Sequence, residues 1–162
     1  MNTIVEYQLQ RAATAGSSGI GSYVDMEESL TRLIDSLQKV YRDRNINVEM
    51  NVDPSLMFKG DEGDLMEILG NLLDNAFKWC KRRVVVTAEQ HGKKLSIRIE
   101  DDGPGMKPGQ VEQLLQRGAR ADETVPGHGI GLSIVHNIVK AYRGSLEIKQ
   151  SGLGGVCVSV VL

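Results

Sequence analysis

A chain of 162 residues, 41% hydrophobic and 25% charged, can bury roughly two-thirds of its unfolded surface, enough for one self-sufficient core. Its formal charge of −2 gives no general attraction to nucleic acid or an anionic membrane, and no apolar run approaches the roughly 20 residues of a membrane span. The two cysteines, Cys80 and Cys157, make no disulfide framework and lack metal-ligand spacing, so both are expected to be core thiols in a reducing compartment.

In chain order, residues 3–14 (TIVEYQLQRAAT) read as the end of a helix, with Ile4, Val5, Leu9 and Ala12 as an apolar stripe. Residues 15–21 (AGSSGIG) have linker composition, which puts a domain boundary near residue 20 and the main domain over 21–162. Asp25 followed by Glu28 has the form of a capping box and predicts a helix over 25–43. Its buried stripe is Leu30, Leu33, Ile34, Leu37, Val40 and Tyr41. Residues 46–52 alternate as a strand, 56–58 make a short second one, and Asp61 caps a helix running to about Cys80. Residues 83–90 and 94–101 flank His91, Gly92 and Lys93 as a β-hairpin. A short helix is expected over 108–115, an aperiodic loop over 116–126 and a long helix over 129–142. A final hairpin covers 145–150 and 156–162, around Gly152, Gly154 and Gly155. The pattern implies a two-layer α/β sandwich, a mixed sheet covered on one face by three helices.

The segment 67–78 (EILGNLLDNAFK) carries two asparagines where an ordinary helix would carry glutamate and lysine. At about 100° per residue, Glu67, Asn71, Asp74, Asn75 and Lys78 fall on one side, opposite Leu65, Ile68, Leu69, Leu72, Leu73 and Ala76. Two readings stand for this segment alone. The face is merely solvated, or its carboxamide oxygens ligate a hard cation without repelling the phosphates it carries. Two later segments bear on the choice: DDGPG at 101–105 follows a strand, and GHGIGL at 127–132 opens a helix. A lone glycine-rich loop is more often a turn than a phosphate site. Three such elements in this order are far more specific.

Together they resemble the N, G1 and G2 boxes of the ATP-binding domain of sensor histidine kinases. That domain belongs to the wider group containing the ATPase domains of gyrase, Hsp90 and MutL (the Bergerat, or GHKL, fold). The resemblance covers about residues 46–162. Residues 71–80 (NLLDNAFKWC), 100–105 (EDDGPG) and 117–120 (RGAR) are most similar to PhoQ-type sensors of Gram-negative bacteria.

The resemblance implies ATP and Mg2+ as ligands and a phosphoryl transfer to histidine. It makes Asn75 the principal magnesium ligand and Asn71 a second contributor. Lys78 is implied to meet phosphate as a point charge, and Glu67 to be the acidic residue that orients groups or acts as base. Asp101 would accept a hydrogen bond from the adenine amine, with Gly103 and Gly105 shaping the pocket. Gly127, Gly129, Gly131 and Leu132 lead into a helix start suited to phosphate, behind a lid carrying Arg117 and Arg120. Either arginine neutralises the triphosphate or is a solvated lid charge, and Trp79, where tyrosine is common, lines the pocket or is plain core. Leu115 or its neighbours stand where the family often has a lid phenylalanine.

None of His91, His128 and His136 has the setting of the family's phosphoacceptor, so no self-phosphorylation of this chain is expected. The implied partners are the dimerisation domain of the same receptor, of which residues 1–20 would be the tail, and a response regulator. The expected whole is an inner-membrane homodimer of which this chain is a cytoplasmic, monomeric piece, with no nucleic-acid partner. An anti-sigma-type serine kinase and a non-catalytic nucleotide-binding module are the alternatives.

Overall fold

The computed structural model describes residues 22–105 and 129–162. The element order is β1 (Tyr23–Asp25), α1 (Met26–Val40), a 3-10 turn (Arg42–Arg44), β2 (Asn47–Val52), β3 (Met57–Lys59) and α2 (Glu62–Trp79). Then come β4 (Arg83–His91), β5 (Lys94–Asp101), α3 (Gly129–Ala141), β6 (Ser145–Gln150) and β7 (Val156–Val161).

Five strands form one mixed sheet in the order β2-β4-β5-β7-β6, with β2 parallel to β4 and the other neighbours antiparallel. The two-layer sandwich expected from the sequence is the fold observed. Its inner face is built by period-two alternation: Val84, Val86 and Ala88 of β4, Leu95, Ile97 and Ile99 of β5, Ile148 of β6 and Val160 of β7 are all buried. Against it α2 sets Leu65, Ile68, Leu69, Leu72, Leu73, Ala76 and Phe77, also all buried. Each large aliphatic or aromatic side chain among these contributes about 1.5–3 kcal/mol by leaving water. Met26, Leu30 and Ile34 of α1 and Leu132, Val135 and Val139 of α3 complete one cluster.

Both long N-terminal helices start as the sequence predicts. Asp25 Oδ1 accepts from Glu28 N at 3.0 Å, and Asp61 Oδ1 from Asp64 N at 3.0 Å. Three details differ from expectation. The first helix ends at Val40, not Asp43: Arg44 N bonds Tyr41 O at 3.0 Å in a 3-10 turn, and Asn45 leaves it in the left-handed region at φ 51°. The short strand after β2 is one residue late, and it pairs with β1, a strand too short to show any periodicity. The predicted helices over 3–14 and 108–115, and the loop over 116–126, lie outside the described residues.

One registration positions the site. Val84 pairs with Asp101, so the last residue of β5 lies beside the turn that leaves α2 for β4.

Candidate nucleotide site

The polar face of α2 has internal order. The Asn71 amide nitrogen donates to Glu67 O at 2.7 Å and to Glu67 Oε2 at 3.1 Å, so both amide hydrogens have acceptors on Glu67. The carbonyl oxygen is thereby turned toward α3, where a Cβ on Gly131 would lie 3.0 Å from Asn71 Oδ1. Glycine lets the start of α3 come that close. One turn on, Asn75 is half-buried and Lys78 exposed, while Trp79 is half-buried at the helix end. Asp74, on the same polar side, has a partner in another element. It faces α1, where the Tyr41 hydroxyl donates to Asp74 Oδ1 at 2.9 Å. That contact, with burial as the larger cause, raises the Tyr41 pKa.

At the other end of this helix, Asp101 is only 5% exposed. Its Oδ1 accepts from Gly103 N at 2.8 Å and from Val156 N at 3.3 Å. Burial pushes its carboxyl above the ordinary carboxylate value, against the lowering effect of those two amides. The packing around it tolerates no side chain. A Cβ on Gly103 would stand 2.2 Å from Trp79 O, and one on Gly155 would stand 2.0 Å from Asp101 Oδ1 and 2.5 Å from Gly103 N. Gly105 adopts φ +77°, the left-handed region open to glycine.

The neighbouring carboxylate does the opposite work. Asp102 Oδ1 accepts from Lys81 N at 2.8 Å, Arg82 N at 3.1 Å and Arg83 N at 3.1 Å. Partial burial raises its pKa, but these amides outweigh it and the net shift is downward.

Of the residues singled out from sequence, Glu67, Asn71 and Gly131 come together at one level of α2, and Trp79, Gly103 and Asp101 at another. Leu132 turns its side chain into the core, 2% exposed, so only its backbone belongs to the start of α3. Arg117, Arg120 and Gly127 lie outside the described residues; Gly129 is the first residue of α3. His91 is exposed and pairs with Glu89 at 3.0 Å, as a solvated histidine should. Gly155, Val156 and Asp102 were missed as site residues. Their contributions are a close approach, a backbone donor and a turn anchor, and none of these has a side-chain signature.

Among the described residues no three His, Cys, Asp or Glu side chains are grouped as a metal cage. A magnesium ion carried on phosphates asks less of the protein, and an oriented amide oxygen such as that of Asn71 suits its preference for oxygen.

A carboxamide-bearing helix thus packs between a glycine-started helix and a strand-end carboxylate. The family model of the histidine kinase-, DNA gyrase B-, and HSP90-like ATPase matches residues 60–162, and the chain belongs to this family.

Over 157 residues, 97% of its length, the chain is 38% identical to the two-component sensor PhoQ of Pseudomonas aeruginosa, of which it covers 35%. It is 40% identical over 155 residues, 96% of its length, to the sensor protein kinase CarS of the same organism, again covering 35%. The virulence sensor histidine kinase PhoQ of Salmonella typhimurium is 37% identical over 97% of this chain, which covers 33% of it. The chain thus spans about a third of the length of the curated relatives it matches. The PhoQ-type resemblance read from three short motifs extends over nearly the whole chain.

Among solved structures, the mycobacterial sensor histidine kinase MprB superposes with a TM-score of 0.75 at 29% identity, over 88% of this chain and 97% of that one. The catalytic domain of histidine kinase ThkA, at 18% identity, shares the fold with a TM-score of 0.76, over 88% of this chain and 95% of that one. Among the described residues no helix is long and apolar enough to cross a membrane.

Proposed function

We propose that the chain binds Mg–ATP and donates its γ-phosphoryl group to a histidine on a separate dimerisation domain, as the kinase module of a two-component sensor. The observation that carries this reading is the pair of specialised levels on one face of α2. Asn71 and Trp79 are eight residues apart, about 12 Å along the helix, a span suited to a nucleotide with base at one end and phosphates at the other. A related full-length protein, ShkA, 25% identical with a TM-score of 0.67, was solved in complex with AMPPNP.

In this reading Asp101 accepts from the adenine amine, and Trp79, Gly103 and Gly105 border the base. Asn75 and Asn71 would hold magnesium, which would supply positive charge to offset that of the triphosphate, and Lys78 would add a further charge beside them. The start of α3, with Gly129 and Gly131, would offer backbone amides to phosphate, and Gly127, Arg117 and Arg120, outside the described residues, are assigned to the same phosphate-binding role. Glu67 aims Asn71 and need not act as a strong base, because a neutral imidazole attacks without prior deprotonation. The partners are a dimerisation domain and a response regulator, in a cytoplasmic setting within a larger membrane sensor.

The test is transfer from labelled ATP to the separately expressed dimerisation domain of the parent receptor. Acid-labile, base-stable label on histidine is expected. Acid-stable label on serine would point to a serine kinase instead, and no label from a chain shown to bind ATP would make it a nucleotide-binding module.

A further inference from the structure

The last turn of α2 lacks the usual end signal. A helix leaves its final carbonyls without intrahelical partners, and a glycine just beyond commonly resolves this; here the cap is Cys80 in an extended conformation. The missing donors come from Arg44, more than 30 residues earlier in the sequence. Its Nη1 donates to Phe77 O at 2.6 Å and Lys78 O at 3.0 Å, and its Nη2 to Cys80 O. The guanidinium is in turn set by the end of α1, lying 5.9 Å from the centroid of the Tyr41 ring. The carbonyl left out of this set, that of Trp79, is the one against which Gly103 packs, and Gly103 N is a donor to Asp101.

Immediately downstream, Asp102 gathers the amides of Lys81, Arg82 and Arg83. The segment 77–83 is therefore held by a cation on its carbonyls and an anion on its amides, with Asp101 wedged beside it.

We propose that Arg44 is a positioning residue for base recognition: by fixing the end of α2 it fixes Trp79 O, Gly103 and so the carboxylate of Asp101. The inference rests on Asp101 being the adenine acceptor. Arg44 itself meets the end of α2 through backbone carbonyls. It makes the register between α1 and α2 a determinant of how tightly adenine, as opposed to triphosphate, is held. Lysine cannot replace it fully, because a single ammonium lacks the planar fork that reaches three carbonyls at once.

The experiment titrates the wild-type chain, Arg44→Met and Arg44→Lys with magnesium-loaded, non-hydrolysable ATP and GTP analogues. Amide hydrogen exchange across α2 and Gly103 is followed in parallel without nucleotide. In Arg44→Met the affinity for the ATP analogue is expected to fall roughly tenfold or more while weak GTP binding is unchanged, with partial recovery in Arg44→Lys. Exchange at residues 77–83 and Gly103 should accelerate, and exchange at the start of α2 should not. Should Arg44→Met fail to fold, Arg44→Lys, which keeps the charge at the helix end, decides alone. Adenine selectivity equal to wild type in every folded variant, or equal losses for both analogues, overturns the inference. A wild-type chain without adenine selectivity removes the base-site reading and this inference with it, an outcome distinguishable because it appears before any substitution.

Discussion

The two ends of the α2 polar face solve the same problem, holding a polar group still, in opposite ways. At the Asn71 level the job is done within one helix: the carbonyl and carboxylate of Glu67 both engage the Asn71 amide and aim its oxygen. At the Trp79 level it is done by backbone drawn from four places, namely the end of α2, the turn before β4, the end of β5 and the start of β7. The first arrangement is local and survives small movements between elements. The second exists only when the sheet, the helix end and the last hairpin are in register, so it should be the more fragile.

The sharpest way to break this contrast is to add one methyl group. Gly155→Ala would place a Cβ 2.0 Å from Asp101 Oδ1 and also 2.4 Å from Asp101 O and 2.5 Å from Gly103 N, backbone atoms that cannot rotate aside. A loss of about 3 kcal/mol or more is expected in urea denaturation. Near-wild-type stability would show that the base end is looser than described.

Asp101→Asn separates function from stability at the same place. It should weaken adenine binding by about 1–3 kcal/mol, since an acceptor becomes a mixed donor and acceptor. Without nucleotide it should stabilise the fold at neutral pH. The folded pKa of Asp101 is raised above 3.8, so its favourable contribution belongs to the protonated form and is lost as pH rises through the folded value. The stability gap between variant and wild type should therefore open above pH 3.8 and close below it.

Asp102→Ala gives the opposite sign. Its folded pKa is lowered, so the carboxylate stabilises the fold above 3.8 and the benefit is lost as pH falls through the lower folded value. About 1 kcal/mol is expected at pH 7, the discount reflecting its access to water. Smallest of all, Tyr41→Phe removes one hydroxyl donor to Asp74 and should cost about 1 kcal/mol or less, with no change in nucleotide selectivity. A change in selectivity there would mean that α1 controls the base through Asp74 as well as through Arg44.

The same contrast explains what the sequence could reveal. Glu67 and Asn71 could be placed on one helix face because they recur at helical spacing, and Asp101 at a strand end because it closes an alternating run before glycines. Strands β5 and β6 were bounded to the residue by clean period-two alternation. Arg44 was invisible because it acts on carbonyls 33 to 36 residues away, and every residue has a carbonyl. Gly155 read only as a hairpin glycine, for the space it vacates belongs to another element. The wheel put Asp74 on the polar face but gave no neighbour for it; Tyr41 supplies that.

The most direct measurement is a calorimetric titration of the chain with a non-hydrolysable ATP analogue, with and without magnesium, alongside Asn75→Ala and a GTP analogue as control. The account predicts magnesium-dependent, adenine-selective binding in the wild type, and loss of the magnesium-dependent part alone in Asn75→Ala. Binding that ignores magnesium, or an Asn75→Ala variant indistinguishable from wild type, would contradict the assignment of the α2 face to Mg–ATP.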